Sequence, residues 1–129
     1  IIVGPALAPY TTTKHAVVGL TRTLHEDLKD NDKVGVSVLC PGLVQTNIIE
    51  RDHLGLDLDE SSIDQHESAK NNAQWLADGV KEGMTPEDLA TIVFKKIESD
   101  QFWILTHPEF VEVYETYANE ITANKNNLD

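Results

Sequence analysis

The sequence predicts an α/β protein with a parallel sheet, on three observations. Apolar residues recur at helical spacing from Tyr10 to about Lys29; a valine-rich strand, Val34 to Cys40, follows; a second strand, Phe102 to Leu105, comes only after further helical sequence. A strand–helix–strand order gives a parallel pair joined by a right-handed crossover. Parallel strands normally lie inside a larger sheet with helices on both faces. Two strands alone leave apolar edges open, so the element count itself calls for strands beyond these.

Taken in order, "IIVGPALAP" (Ile1 to Pro9) reads as the tail of a strand or loop, broken by two prolines and a glycine. The first helix carries Ala16, Val17, Leu20, Leu24 and Leu28 as one apolar stripe. "KDNDK" (Lys29 to Lys33) is a polar turn, and "VGVSVLC" is a buried strand stopped by Pro41 and Gly42. From Gln45 to Gly83 the pattern is less regular. Glu50 to Glu67 holds seven acidic side chains against one arginine, and a helix is expected from Ser61 to Gly79 with Ala69, Ala73, Leu76 and Val80 inward. "MTPEDLATIVFKKIESD" opens with a strong start signal. Thr85 can cap, Pro86 fits the first helical position, and Glu87 and Asp88 complement the positive end of the dipole. After the second strand, Pro108 starts a last helix with Phe110, Val113, Tyr114, Tyr117 and Ile121 on its apolar face. There is no internal repeat and no low-complexity segment.

Composition narrows the function classes. The chain has 129 residues, 40% of them hydrophobic, which suits one soluble domain. Twenty-two acidic against ten basic side chains give a net charge of −12. That balance argues against nucleic acid or an anionic membrane surface as partner, because phosphate binding needs clustered Lys and Arg. The single cysteine, Cys40, cannot form an internal disulfide, so a reducing, cytoplasmic setting is expected. No apolar run reaches the length of a membrane span, and no basic residue precedes the short apolar start as a signal peptide requires.

Tyr10 and Lys14 lie four residues apart at the start of the first helix. Positions i and i+4 share a face, so a phenol and an ammonium can converge there on one ligand. A free phenol, with a reference pKa near 10, is a poor base at neutral pH, and an adjacent ammonium favours its ionised form. The pair therefore reads as a general acid/base with its tuning cation. The plainer alternative is two amphipathic surface residues. "PGLVQT" (Pro41 to Thr46) turns the chain at the carboxyl end of a strand, where open α/β sheets place their ligands; its plainer alternative is a strand-ending turn.

"YTTTK" (Tyr10 to Lys14), followed by "HAVVGLTRTL", a strand and "CPGLVQT", resembles the short-chain dehydrogenase/reductase superfamily. In that family a YxxxK helix precedes a strand ending in PGxVxT, and "PYTTTKHAVVGLT" is similar to the family's YxxSKxAxxGLT run. "MTPEDLA…FWILTHPEF" resembles one large branch of it. YxxxK alone is a weak signal; joined to PGLVQT across a helix–strand unit it is a strong one. The strand end "SVLCPGLVQT" agrees with the simple alcohol/ketone dehydrogenase branch rather than the extended branch, which favours an NvYGP-like sequence there.

The resemblance covers essentially the whole chain but only the C-terminal half of the family's fold. It implies that residues 1–129 are the C-terminal part of a single doubly wound, parallel-sheet, Rossmann-like domain binding NAD or NADP. It implies that Tyr10 passes a proton to or from the substrate oxygen and that Lys14 also holds the nicotinamide ribose. It implies further that the turn at Pro41 and Gly42, the backbone at Leu43 and Val44 and the Thr46 hydroxyl hold the carboxamide. The substrate would be a small alcohol or carbonyl compound and the parent a homodimer or homotetramer. The family's TGxxxGxG turn, structural asparagine and catalytic serine have no counterpart, the serine's place falling just ahead of Ile1. The expectation is thus a fragment, inactive alone, of an NAD(P)-dependent oxidoreductase. The alternative is a non-catalytic remnant acting as a dimerisation or interaction module, since the Tyr10 to Lys29 helix matches the one that builds the family's dimer interfaces.

The other polar candidates carry less. His15, His25, His53, His66 and His107 show no HxxxH or paired-carboxylate spacing, so no metal site is expected, and His107 before Pro108 reads as a helix start. Cys40 reads as a buried strand residue. Trp75 and Trp103 fit either a substrate pocket or the core. The acidic run after PGLVQT reads as a solvated loop, in the place of the family's substrate loop.

Overall fold

In the computed structural model the described residues are 7–49 and 67–124. The chain runs α1 (Ala8–Leu28), β1 (Val38–Cys40), a 3-10 turn (Asn47–Ile49), α2 (Glu67–Glu82), α3 (Pro86–Glu98), β2 (Trp103–Leu105), a second 3-10 turn (Pro108–Phe110) and α4 (Val111–Asn124). Of the expected acidic run Glu50 to Glu67, residues 50–66 lie outside the described residues, and with them the first turns of the helix read from Ser61. That helix ends at Glu82 rather than Gly79.

The two strands pair in parallel, Val38 with Trp103, Leu39 with Ile104 and Cys40 with Leu105, as the strand–helix–strand order requires. β1 is shorter than the Val34 to Cys40 run read from sequence. A ladder extends only as far as its partner, and β2 begins at Trp103 because α3 has to unwind first. Asp100 enters the left-handed region (φ 50°) just beyond α3, while the Asp100 and Gln101 amides return to the Ile97 and Lys96 carbonyls. Beyond the ladder's first bond, Val38 N–H to Phe102 O at 2.7 Å, only the Ser37 hydroxyl reaches across, donating to Gln101 O at 2.9 Å.

The helices start where local chemistry allows. Thr85 Oγ1 accepts the Asp88 N–H at 3.2 Å and donates to the Asp88 carboxylate at 2.8 Å, with Pro86 at the first helical position, as expected. α1 has no side-chain cap; Pro9 sits in its first turn and Thr11 N–H bonds to Leu7 O at 2.8 Å. The last helix differs from expectation in its opening. Pro108 begins a 3-10 turn, and α-helical bonding takes over only at Val111.

The core is small. Val38, Val44, Val80 and Ile104 are buried, with Thr106 as the one buried polar side chain among the described residues. Of the inward face expected for α2, Val80 is buried and Leu76 half-buried, but Ala73 is exposed. The α1 stripe lies open, with Val17, Leu20 and Leu24 at 54%, 73% and 46% exposure, and Val113, Tyr114, Tyr117 and Ile121 of α4 are exposed too. Trp75 and Trp103 are likewise exposed, so neither belongs to the core of the described residues. Among the described residues the outer edge of β1 has no strand partner. The single parallel pair is thus the inner part of a layer that these residues leave uncovered.

Candidate nicotinamide and acid/base site

α1 delivers the first half of the site. Tyr10 and Lys14 sit on its opening turns, and the Lys14 ammonium lies 5.3 Å from the centroid of the Tyr10 ring, so the two side chains share a face as their spacing requires. Both are exposed, Tyr10 by half. At the far end of α1, His25 meets Phe102 just ahead of β2, ring centroids 4.5 Å apart. The C-terminus of α1 therefore lies at the amino end of the sheet. Its long rise, about 1.5 Å per residue, carries Tyr10 toward the carboxyl end, the end at which β1 delivers Pro41.

The second half is the loop leaving β1. Gly42 N–H donates to His107 Nδ1 at 3.0 Å, and a Cβ on Gly42 would come within 2.5 Å of His107 Cγ and 2.6 Å of Phe110 Cε2. Only glycine fits there. Next, Leu43 packs its side chain onto Gly79, and its carbonyl accepts the Met84 N–H at 3.0 Å while Gln45 N–H donates to Met84 O at 2.9 Å. This pair of bonds makes a parallel bridge between Val44 and Met84. In such a bridge the groups of the central residue point to the opposite edge. Val44 is buried, and its N–H and C=O have no bond among the described residues. A buried amide left open is costly unless a ligand or water meets it, and the open pair offers one donor and one acceptor, which is the complement of a carboxamide. Thr46 is exposed beside it.

Sequence reasoning singled out Tyr10, Lys14 and the Pro41 to Thr46 turn as candidates, and missed what holds the turn. His107 is not merely the start of a helix; its ring braces Gly42, with the Thr106 hydroxyl 2.7 Å from the same Nδ1. Met84 and Gly83 were legible only as the approach to a helix cap. Cys40 is half-buried in β1, and burial pushes its thiol up from the usual value, away from the thiolate form. No group of three metal-ligating side chains comes together among the described residues. The open clefts, the larger about 350 Å³ and lined by Gly35, Ser37, Ile97 and Asp100, lie at the amino end of β1 and not at this chemistry. Among the described residues no helix is long and apolar enough to cross a membrane.

Residues 2–55 match the family model for short chain dehydrogenase. The chain is 29% identical over 124 residues to the CLA biosynthesis dehydrogenase/reductase of Lactiplantibacillus plantarum, covering 93% of this chain and 43% of that protein. It is 46% identical over 48 residues to the short-chain dehydrogenase anuF of Penicillium roqueforti, covering 37% and 17%. Among solved structures it is similar to a short-chain dehydrogenase/reductase from Burkholderia phymatum in complex with NAD, at 31% identity and a TM-score of 0.82. That match covers 95% of this chain and 44% of the other. The chain thus spans less than half the length of each of these relatives. At this similarity its α/β architecture is that of part of a doubly wound, Rossmann-like domain.

Gly83 tests the support of the loop. A Cβ there would lie 2.5 Å from Leu43 O and 2.9 Å from Val44 N, both backbone atoms that cannot swing aside. Gly83→Ala is expected to push the loop off Met84 and to destabilise a full-length protein carrying these residues by about 1–3 kcal/mol, read as a lowered urea midpoint.

Proposed function

The chain belongs to the short-chain dehydrogenase/reductase superfamily, and from that premise we propose that it forms the C-terminal, catalytic half of an NAD(P)-dependent oxidoreductase of the simple branch. The enzyme interconverts a small alcohol and its ketone or aldehyde. The observation that carries this reading is the approach of the Lys14 ammonium to the Tyr10 ring on the first turns of α1. When bound, the nicotinamide supplies or accepts the hydride. Tyr10 gives the proton that the substrate oxygen gains in reduction, or takes the one it loses in oxidation. Lys14, its ammonium 5.3 Å from the Tyr10 ring centroid, would hold the ribose. Val44 N–H and C=O, with the backbone of Leu43, the Thr46 hydroxyl and the turn at Pro41 and Gly42, would hold the carboxamide.

A second reading has its own support. The exposed stripe of Val17, Leu20 and Leu24 is a surface of the kind used between helices, so a non-catalytic dimerisation or interaction module remains the alternative. In the first reading the same stripe serves the assembly of a homodimer or homotetramer in the cytoplasm.

The test uses a complete enzyme, either the natural one carrying these residues or a chimera with the N-terminal part of the Burkholderia phymatum relative joined ahead of Ile1. Turnover of alcohols and ketones is followed by nicotinamide absorbance; its absence with both NADH and NADPH, in a folded protein, favours the interaction module. Tyr10→Phe is expected to lower kcat by about 10²- to 10⁴-fold with cofactor affinity nearly intact, because only the ionisable hydroxyl is lost. Lys14→Ala should damage both. Near-parental turnover in Tyr10→Phe overturns the acid/base assignment.

Thr46→Val keeps the shape but deletes a hydrogen bond, and should raise the cofactor Kd by about fivefold, equivalent to about 1 kcal/mol. A titration with unchanged Kd counts against the carboxamide role of the loop.

The 129 residues alone, which carry no glycine-rich pyrophosphate turn, should show no hydride transfer and should associate through their open apolar surface. Sedimentation of Leu20→Glu should show weaker association than the unaltered chain. A monomer with a sharp cooperative melt contradicts this.

A further inference from the structure

We propose that His107 is a positioning residue for the nicotinamide loop, an inference that rests on the oxidoreductase reading above. A backbone N–H can only donate, so the bond from Gly42 requires Nδ1 of His107 to be unprotonated and the ring proton to sit on Nε2. The tautomer follows from that one bond. The Thr106 hydroxyl, 2.7 Å from the same Nδ1 and buried, shares that lone pair with Gly42 N–H as the second donor of a three-centre bond. The imidazole also meets Phe110, ring centroids 6.0 Å apart, and His107 Cγ and Phe110 Cε2 both crowd the place where a Gly42 Cβ would stand. The ring is therefore wedged, oriented and hydrogen-bonded at the first hinge of the loop.

The second hinge is the Met84 bridge to Leu43 and Gln45. Between these two anchors lies Val44, whose open N–H and C=O form the proposed carboxamide contact. His107 touches neither cofactor nor substrate in this scheme; it acts by fixing where Gly42 starts the turn, and hence which way Val44 faces. Without the acceptor, Gly42 N–H loses its partner and the loop pivots on the Met84 bridge alone.

The experiment is a titration of the complete enzyme with NADH or NADPH, whichever the wild type binds, and in parallel with the matching ADP-ribose or its 2′-phosphate, which lack the nicotinamide. His107→Leu, which keeps bulk and removes the acceptor, is expected to weaken reduced-cofactor binding by about fivefold and leave the ADP-ribose compound unchanged. His107→Asn, whose amide oxygen accepts at a reach similar to Nδ1, should regain most of the loss. Unchanged cofactor affinity in His107→Leu overturns the proposal. So does an equal loss of ADP-ribose affinity, which marks a merely structural role, or an Asn variant as weak as the Leu one. In the wild type, ¹⁵N NMR should show coupling across the Gly42 N–H to Nδ1 bond, and its absence overturns the proposal even if no variant folds. A wild type that binds no nicotinamide compound defeats the oxidoreductase reading, whereas normal binding in both wild type and His107→Leu defeats this inference alone.

Discussion

The rest of the structure depends on the register of one short parallel ladder. Because Cys40 pairs with Leu105, the two chains leave the sheet side by side, one at Pro41 and the other at Thr106. That coincidence lets a residue of the second strand's exit hold the first strand's exit, as His107 does at Gly42. A shift of one residue would turn the side chains of the slipped strand to the other face and take Val38 or Ile104, the most deeply buried of the core residues and on opposite faces of the ladder, out of its cover. The ladder thus serves less as a store of stability than as a ruler.

Around it, glycine does the fitting. Gly42, Gly79 and Gly83 each lie where a Cβ would strike the loop or what touches the loop. None of the three needs an unusual backbone angle; what they supply is closeness. The loop is consequently gripped on one flank by a ring and on the other by the end of α2, and the backbone groups left unused are those of the residue between.

Much of this was legible in the sequence, and for identifiable reasons. The Tyr10 and Lys14 pair was readable because helical spacing is local, and the cap at Thr85 because its partners lie within three residues. The parallel pairing followed from element order. The length of β1 was not readable, since it is set by where α3 releases Trp103, some sixty residues away in sequence. Nor was the role of His107, whose meaning comes from a bond across 65 residues. The apolar stripes of α1 and α4 were read correctly as stripes, but periodicity tells which residues share a face and not whether anything covers it.

One feature of α1 alters how its surface would feel to a neighbour. Thr12, Thr21 and Thr23 each turn their hydroxyl back onto the carbonyl one turn earlier, at 2.8 Å, 2.8 Å and 3.1 Å. A hydroxyl satisfied within its own helix asks nothing of an approaching partner, so these threonines present chiefly their methyl groups. The exposed side of α1 that carries Thr12 and Thr23 is therefore greasier in contact than its composition suggests, and a packing layer could dry it without stranding either hydroxyl.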